Sequence, residues 1–216
     1  DEKNRVAQKQ YRVDGTGHQT KYLYGEVSKQ QKPGLEYGVQ VDGKTCIEYA
    51  YDLLGRCEKK TQIYPSGKKK EITYTYVPGA KEGTTTALVG TITENGKETA
   101  YTYDGRGNIL EICTKELDTG KVTDHMLYTY TGMNQVIREE DAVRGRTFTY
   151  AYDLGGNLLE NKKYDQVNGV EELRGTDTYT YSSGWKDQLT SFNGKAITYD
   201  AMGNPLSYMG MNLTWE

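Results

Sequence analysis

The sequence predicts an all-β chain: an array of antiparallel β-hairpins forming a curved, spiralling sheet, with almost no helix. Three observations carry that prediction. Glycine-marked turn signatures recur every dozen or so residues, the segments between them alternate aromatic and Thr side chains, and no window sustains a helical apolar period. Composition fits such a chain. Leu, Ile, Val and Phe make up only about 17% of the 216 residues, under the ~20% typical of disordered chains, but those also carry high net charge. Here 27 basic and 30 acidic residues leave a net −3. Twenty Tyr replace the missing aliphatic surface, each able to bury on the order of 150–250 Å² while its hydroxyl stays hydrogen-bonded.

Residues 1–39 read as irregular N-terminal strands and residues 40–216 as recognisable repeats, together one array and an internal section of a longer protein. The first clear signal is Asp42-Gly43-Lys44, a two-residue hairpin turn in which both central residues take positive φ. The same signal returns at Ser66-Gly67-Lys68, Asn95-Gly96-Lys97, Thr119-Gly120-Lys121 and Asn193-Gly194-Lys195, with Arg144-Gly145-Arg146 and Asn168-Gly169 in equivalent places. Between these turns lies a second signature. It reads Tyr51-Asp52-Leu53-Leu54-Gly55-Arg56, then Tyr103-Asp104-Gly105-Arg106-Gly107-Asn108, Tyr152-Asp153-Leu154-Gly155-Gly156-Asn157 and Tyr199-Asp200-Ala201-Met202-Gly203-Asn204. Tyr130-Thr131-Gly132-Met133-Asn134 is a degenerate copy with Asn in place of Gly, and Tyr181-Ser182-Ser183-Gly184-Trp185 is looser still.

The intervening segments are strands of roughly five to eight residues. Ile72–Tyr76, Ala100–Tyr103, Met126–Tyr130, Thr147–Tyr152 and Thr178–Tyr181 alternate aromatic with Thr, so the aromatics share one face and the Thr residues the other. Residues 17–38 and 77–93 carry the weakest signal and are expected to be longer loops or irregular strands. Met209, Met211, Leu213 and Trp215 alternate with Gly210, Asn212, Thr214 and Glu216 and predict a final strand. Its apolar stripe invites self-association or folding back. Within the second signature each residue has a physical task. Tyr ends the incoming strand and packs over the turn, Asp accepts amides two residues on, Gly takes the left-handed conformation, and the aliphatic residues after it start the return strand.

Several function classes are excluded or demoted. No apolar stretch approaches the roughly 18–20 residues of a membrane span, and near-neutral charge argues against nucleic acid as partner. Cys46, Cys57 and Cys113 lack C-x-x-C spacing, so three buried free thiols are expected, with one bridge left open. The two histidines offer little: His18 reads as a solvated turn residue and His125 as a surface residue at a loop–strand join. The repeated Asp residues read as turn acceptors rather than calcium ligands or paired catalytic acids. Lys59-Lys60 and Lys68-Lys69-Lys70 read as a solvated face or as guards of a sheet edge. Neither a catalytic group nor a cofactor nor a metal is expected.

The recurring Tyr-Asp-x-x-Gly-Asn, with Tyr-x-Tyr leading in and aliphatics leading out, resembles the YD repeat of Rhs proteins, of bacterial wall-associated proteins, of the C components of insecticidal toxin complexes and of teneurins. The stretch from Trp185 to Leu206 resembles it most closely. The resemblance implies a long hairpin array that forms part of a shell or stalk at the cell surface or outside the cell. Its partners would be neighbouring repeats and a C-terminal toxin domain of the same protein. The Arg-Tyr-Tyr-Asp and Gly-Arg-Phe signature that ends bacterial arrays of this kind is missing from the sequence. The chain therefore reads as non-catalytic wall, with an extracellular carbohydrate-binding module as the second reading. Trp185, which falls outside the aromatic alternation, is the candidate sugar contact. A hydrolase would require a convergent acid–base pair in a cleft.

Overall fold

A computed structural model describes residues 3–26, 29 and 31–215. Among them there is no α-helix. The chain divides into two compact units, Asp1–Tyr101 with Thr114–Lys121, and Thr102–Cys113 with Val122–Glu216. The first holds β1 (Gln8–Val13), β2 (Thr16–Tyr24), β3 (Glu36–Val41), β4 (Lys44–Tyr51), β5 (Cys57–Ile63), β6 (Lys69–Pro78) and β7 (Thr85–Glu94). β8 (Lys97–Tyr103) and β9 (Ile109–Glu116) contribute residues to both units. The second continues with β10 (Val122–Tyr130), β11 (Val136–Asp141), β12 (Arg146–Tyr152), β13 (Leu158–Val167), β14 (Val170–Tyr181), β15 (Leu189–Phe192) and β16 (Lys195–Ala196). A separate small hairpin follows, β17 (Ser207–Tyr208) with β18 (Met211–Asn212).

From β1 to β16, sheet order equals sequence order, and the mapped pairs are antiparallel. This is what two-residue and four-residue turns dictate, because only adjacent antiparallel strands can be joined so briefly. Turns consequently alternate between the two ends of the strands within each unit. One end takes the Gly-Lys turns and the other the Tyr-Asp turns.

Four expectations need correction. Residues 77–93 are irregular only in part: 79–84 form a loop and the register shifts on both sides of Tyr76, but Thr85–Glu94 is a ten-residue strand whose Thr91 and Ile92 pair with Thr75 and Tyr74 of β6. β-branched residues carry that strand without any aromatic alternation. Strands also exceed eight residues, β14 reaching twelve. The final strand is broken, because Met209 and Gly210 both take positive φ (51° and 87°) and turn β17 back onto β18. The chain then returns, with Leu213 N donating to Leu206 O and Trp215 Nε1 to Pro205 O; Glu216 lies outside the described residues. Finally, the three cysteines are free but half-buried rather than buried. Little is enclosed: Val39 and Ile197 are the buried apolar residues among those described.

The most enclosed side chain is a threonine. Thr147, 1% exposed, donates through Oγ1 to Glu171 at 3.0 Å. The same carboxylate accepts Gln166 Nε2 at 3.1 Å and the Arg138 guanidinium, which also holds Glu140. One group on β14 thereby ties β11, β12 and β13. The Arg138 contact, followed by Thr147, holds the Glu171 carboxyl below its ordinary value, against burial. Thr147→Val keeps the shape and deletes one of these bonds. We expect it to cost about 1 kcal/mol in urea unfolding, whereas Thr129→Val, exposed on β10, changes stability by less than about 0.5 kcal/mol.

Candidate functional site

The repeat turns are where the sequence-predicted residues converge. In three of them the Asp places its two oxygens identically. Asp104 Oδ1 accepts the amides of Arg106 (2.8 Å) and Asn108 (2.9 Å), while Oδ2 accepts Asn108 Nδ2 at 2.8 Å. Asp153 takes Gly155 N (2.8 Å), Asn157 N (2.9 Å) and Asn157 Nδ2 (2.8 Å). Asp200 takes Met202 N (2.9 Å), Asn204 N (2.8 Å) and Asn204 Nδ2 (2.9 Å). The backbone closes each loop as Gly156 N to Asp153 O and Asp153 N to Asn157 O do, and Gly107, Gly156 and Gly203 sit at φ 89°, 92° and 89°. In the first copy, Gly55 sits at φ 84° and Arg56 replaces Asn, its Nε reaching Asp52 Oδ2 at 2.7 Å. The degenerate copy keeps the geometry with Thr131 Oγ1 as a longer acceptor, 3.2 Å from both Met133 N and Gln135 N, and with Asn134 at φ 62°.

The tyrosines do more than pack over their turns. Each hydroxyl donates to the backbone carbonyl that opens the preceding strand: Tyr51 to Glu36 (2.6 Å), Tyr130 to Ile109 (2.7 Å), Tyr152 to Val136 (2.8 Å) and Tyr199 to Leu189 (2.6 Å). Tyr76 and Tyr181 do the same to Cys57 (2.7 Å) and Leu158 (3.0 Å). Tyr103 holds the same position at the end of β8. At Tyr51, Tyr76, Tyr130, Tyr152 and Tyr181 the register shifts by one residue, the extra residue lying on the following strand, at Glu58, Gly90, Ile137, Leu159 and Thr190. Burial pushes Tyr51 up to about 12, so it remains a donor at any physiological pH. The sequence locates these Tyr residues but not their acceptors, since the acceptor depends on register across two strands.

Neighbouring turns also touch. Asn108 Nδ2 reaches Asn134 Oδ1 at 2.9 Å, and Asn157 Nδ2 reaches Lys186 O at 3.0 Å. The Trp185 ring lies against Gly203, where a Cβ would sit 3.5 Å from it, so packing on the next turn accounts for this residue. Trp185 is nonetheless 61% exposed and lines a shallow depression with Asp187, Gln188, Leu189 and Tyr199. The tip positions between Asp and Gly are apolar and exposed at Leu53, Leu54, Met133, Leu154 and Met202.

The remaining candidates stay apart from one another. His18 is in β2, not in a turn, and its Nδ1 lies 2.8 Å from Asp42 Oδ2 with Tyr11 stacked alongside. His125 Nε2 lies 2.7 Å from Glu111. Burial raises the Cys57 thiol above its ordinary value, which disfavours the thiolate a nucleophile needs. Among the described residues no group of three or more His, Cys, Asp or Glu is placed to hold a metal ion.

Two predictions follow from the turn geometry. Gly107 and Gly105 belong to one turn, but only Gly107 has positive φ, and nothing lies within 4 Å of a Cβ on Gly105. Gly107→Ala should therefore cost about 1–2 kcal/mol in chemical denaturation and Gly105→Ala nothing measurable. The second concerns pH. The Asn side chain, then its amide, holds Asp153 and Asp200 below the ordinary carboxylate range, and Asn108 does so for Asp104 despite some desolvation. A carboxyl depressed in the folded state stabilises above its unfolded pKa of about 3.9, and that contribution is lost as pH falls through the lower folded value. The thermal midpoint should hold from pH 7 to 5 and drop below about pH 4. The drop should be shallower in an Asp104→Asn/Asp153→Asn/Asp200→Asn variant.

No protein-family model matches the chain, and no curated protein matches it. Solved structures do. A chain of the Photorhabdus luminescens Tc holotoxin pore, carrying a TccC3 variant, is 13% identical with TM-score 0.51, the match covering 88% of this chain and 12% of that one. A crystal structure of TcdB2-TccC3-TEV is 13% identical with TM-score 0.51, covering 92% of this chain and 13% of that one. The present chain thus spans only 12–13% of the length of these chains. At this identity the likeness is one of fold, and it is the hairpin-array fold that the Tyr-Asp repeats imply.

Proposed function

We propose that the chain is a non-catalytic section of wall in a bacterial surface or secreted repeat protein, part of a β-shell or stalk that encloses or presents a C-terminal toxin domain. The observation that carries this reading is where the repeat residues aim. The polar atoms of the turns, from Asp104, Asn108, Asp153, Asn157, Asp200 and Asn204, bond to the chain's own amides, side chains and neighbouring turns. The strand-end Tyr hydroxyls bond to backbone carbonyls. A repeat that spends its polar groups on itself and on its neighbour is a building unit, and stability accumulates by nearest-neighbour contacts. The fold likeness to chains of Tc toxin structures supports placing such a wall in a secreted toxin assembly. Carbohydrate binding at Trp185 is the second reading, favoured by its exposure beside Asp187 and Gln188. Trp185→Ala assayed on a glycan array tests it.

The wall reading makes a sharp prediction. Deleting residues 131–152 removes β11 and β12 and joins Tyr130 to Asp153, which regenerates an intact Tyr-Asp-Leu-Gly-Gly-Asn turn. The shortened chain should fold, with its urea m-value reduced by roughly a tenth, in proportion to the surface removed. A chain that fails to fold after this deletion, while Gly105→Ala folds normally, would mean that its strands form one irreplaceable domain and not an additive wall.

A further inference from the structure

Three hairpins of this chain turn on the same dipeptide. Asn95-Gly96, Asn168-Gly169 and Asn193-Gly194 have nearly the same backbone, with Asn at φ 50°, 52° and 48° and Gly at φ 73°, 80° and 74°. All six residues are exposed. The pair that suits a two-residue reversal is also the pair most open to attack on itself. Glycine has no Cβ to shield its amide nitrogen, so that nitrogen can reach the Cγ of the preceding Asn. By sequence the three turns are alike; in the structure they are not.

They differ in how the Asn side chain and the turn are held. Asn193 is fastened: Oδ1 accepts Thr178 N at 2.7 Å, Nδ2 donates to Asp177 Oδ1 at 2.9 Å, and its own amide donates to Thr178 O at 2.9 Å. Swinging Cγ onto Gly194 N breaks the first two bonds, one of them to a carboxylate. The side chains of Asn95 and Asn168 make no hydrogen bond among the described residues. The Asn95 turn is still tied to the end of β9, where Leu117 N donates to Gly96 O at 2.8 Å. The Asn168 turn has no such tie. β12 accompanies β13 as far as Asp165, opposite Arg146, and Gln166 N donates to Gly145 O at 2.7 Å. Beyond that point Val167 pairs only with Val170, so this tip opens more readily than the other two.

From this contrast we infer that Asn168 is a site of spontaneous covalent modification, with Asn95 slower and Asn193 protected. Gly169 N attacks Asn168 Cγ; the N–Cγ bond forms, the Cγ–Nδ2 bond breaks, and ammonia leaves with the Gly169 amide proton. The resulting five-membered imide takes up water at either carbonyl. Opening at Cγ leaves an aspartate in the turn, and opening at the main-chain carbonyl leaves an isoaspartate. Isoaspartate routes the main chain through Cβ and adds one atom to a reversal whose length fixes register. That register sets Gln166 opposite Glu171, the carboxylate that also holds Thr147 and Arg138. Modification at the exposed tip thereby loosens the polar cluster that ties β11 to β14.

The test follows the whole folded chain at mildly alkaline pH by tryptic peptide mapping and mass spectrometry, since the three sites fall on separate peptides, 82–97, 164–174 and 187–195. We expect Asn168 to convert roughly tenfold or more faster than Asn193, with Asn95 between them. In denaturing urea, where only the shared dipeptide is left, the three rates should converge. Asp177→Ala, which frees the Asn193 amide, should speed Asn193 several-fold and leave Asn168 unchanged. The isoaspartyl form, resolved by chromatography, should unfold at lower urea than Asn168→Asp, which carries the same charge and no added atom. Circular dichroism verifies that each variant is folded. Equal rates at Asn168 and Asn193 in the folded chain, a spread of rates that persists in urea, an Asn193 rate unmoved by Asp177→Ala, or an isoaspartyl form as stable as Asn168→Asp would each overturn the inference.

Discussion

In every good repeat copy one carboxylate oxygen accepts the amides two and four residues ahead, and a glycine between them stands at positive φ. This small closed loop fixes how many residues the reversal consumes. Because side chains alternate faces with a period of two, that count decides which face each residue of the next strand occupies. Register is therefore set locally, turn by turn. Phe148 opposite Lys163 and Tyr150 opposite Asn161, paired across the Asp153 turn, follow from that local setting.

The same constraint explains how a chain with so few enclosed aliphatic residues holds together. Val39 and Ile197 supply little apolar burial, and an isolated hairpin is marginal in water. The strand-end tyrosines compensate by spanning two scales. Each ring covers the sheet beside its turn, and each hydroxyl reaches the carbonyl where the preceding strand begins. A turn of the repeat is thus bonded to the turn before it, and the Glu171 cluster adds a polar stitch across four strands. Stability is spread along the chain instead of being concentrated in one core, as in other arrays whose units lean on their neighbours.

Alternation of turns gives the two strand ends of each unit different chemistry. Tyr-Asp turns present apolar tips such as Leu54, Met133 and Leu154, with their carboxylates turned inward to the backbone. Gly-Lys turns present cations such as Lys44, Lys68 and Lys97.

How much of this was legible in advance depends on the range of each interaction. The turns were readable because Asp-x-x-Gly-Asn and Asn-Gly act within five residues, and positive φ at Gly107, Gly156 and Gly203 is a local necessity. The strands were readable from alternation, except where β7 dispenses with aromatics and where Met209, an improbable residue at φ 51°, makes a turn that no composition rule announces. The carbonyl that receives Tyr152, the glycine that receives Trp185, and the carboxylates that hold His18 and His125 lay beyond the sequence. Each depends on which residues a bulge and a register bring together from separate strands. The sequence by itself determined where the chain reverses and which residues prefer strand; only the tertiary structure decided what each tyrosine bonds to, because a hydroxyl finds its acceptor through space and not along the chain.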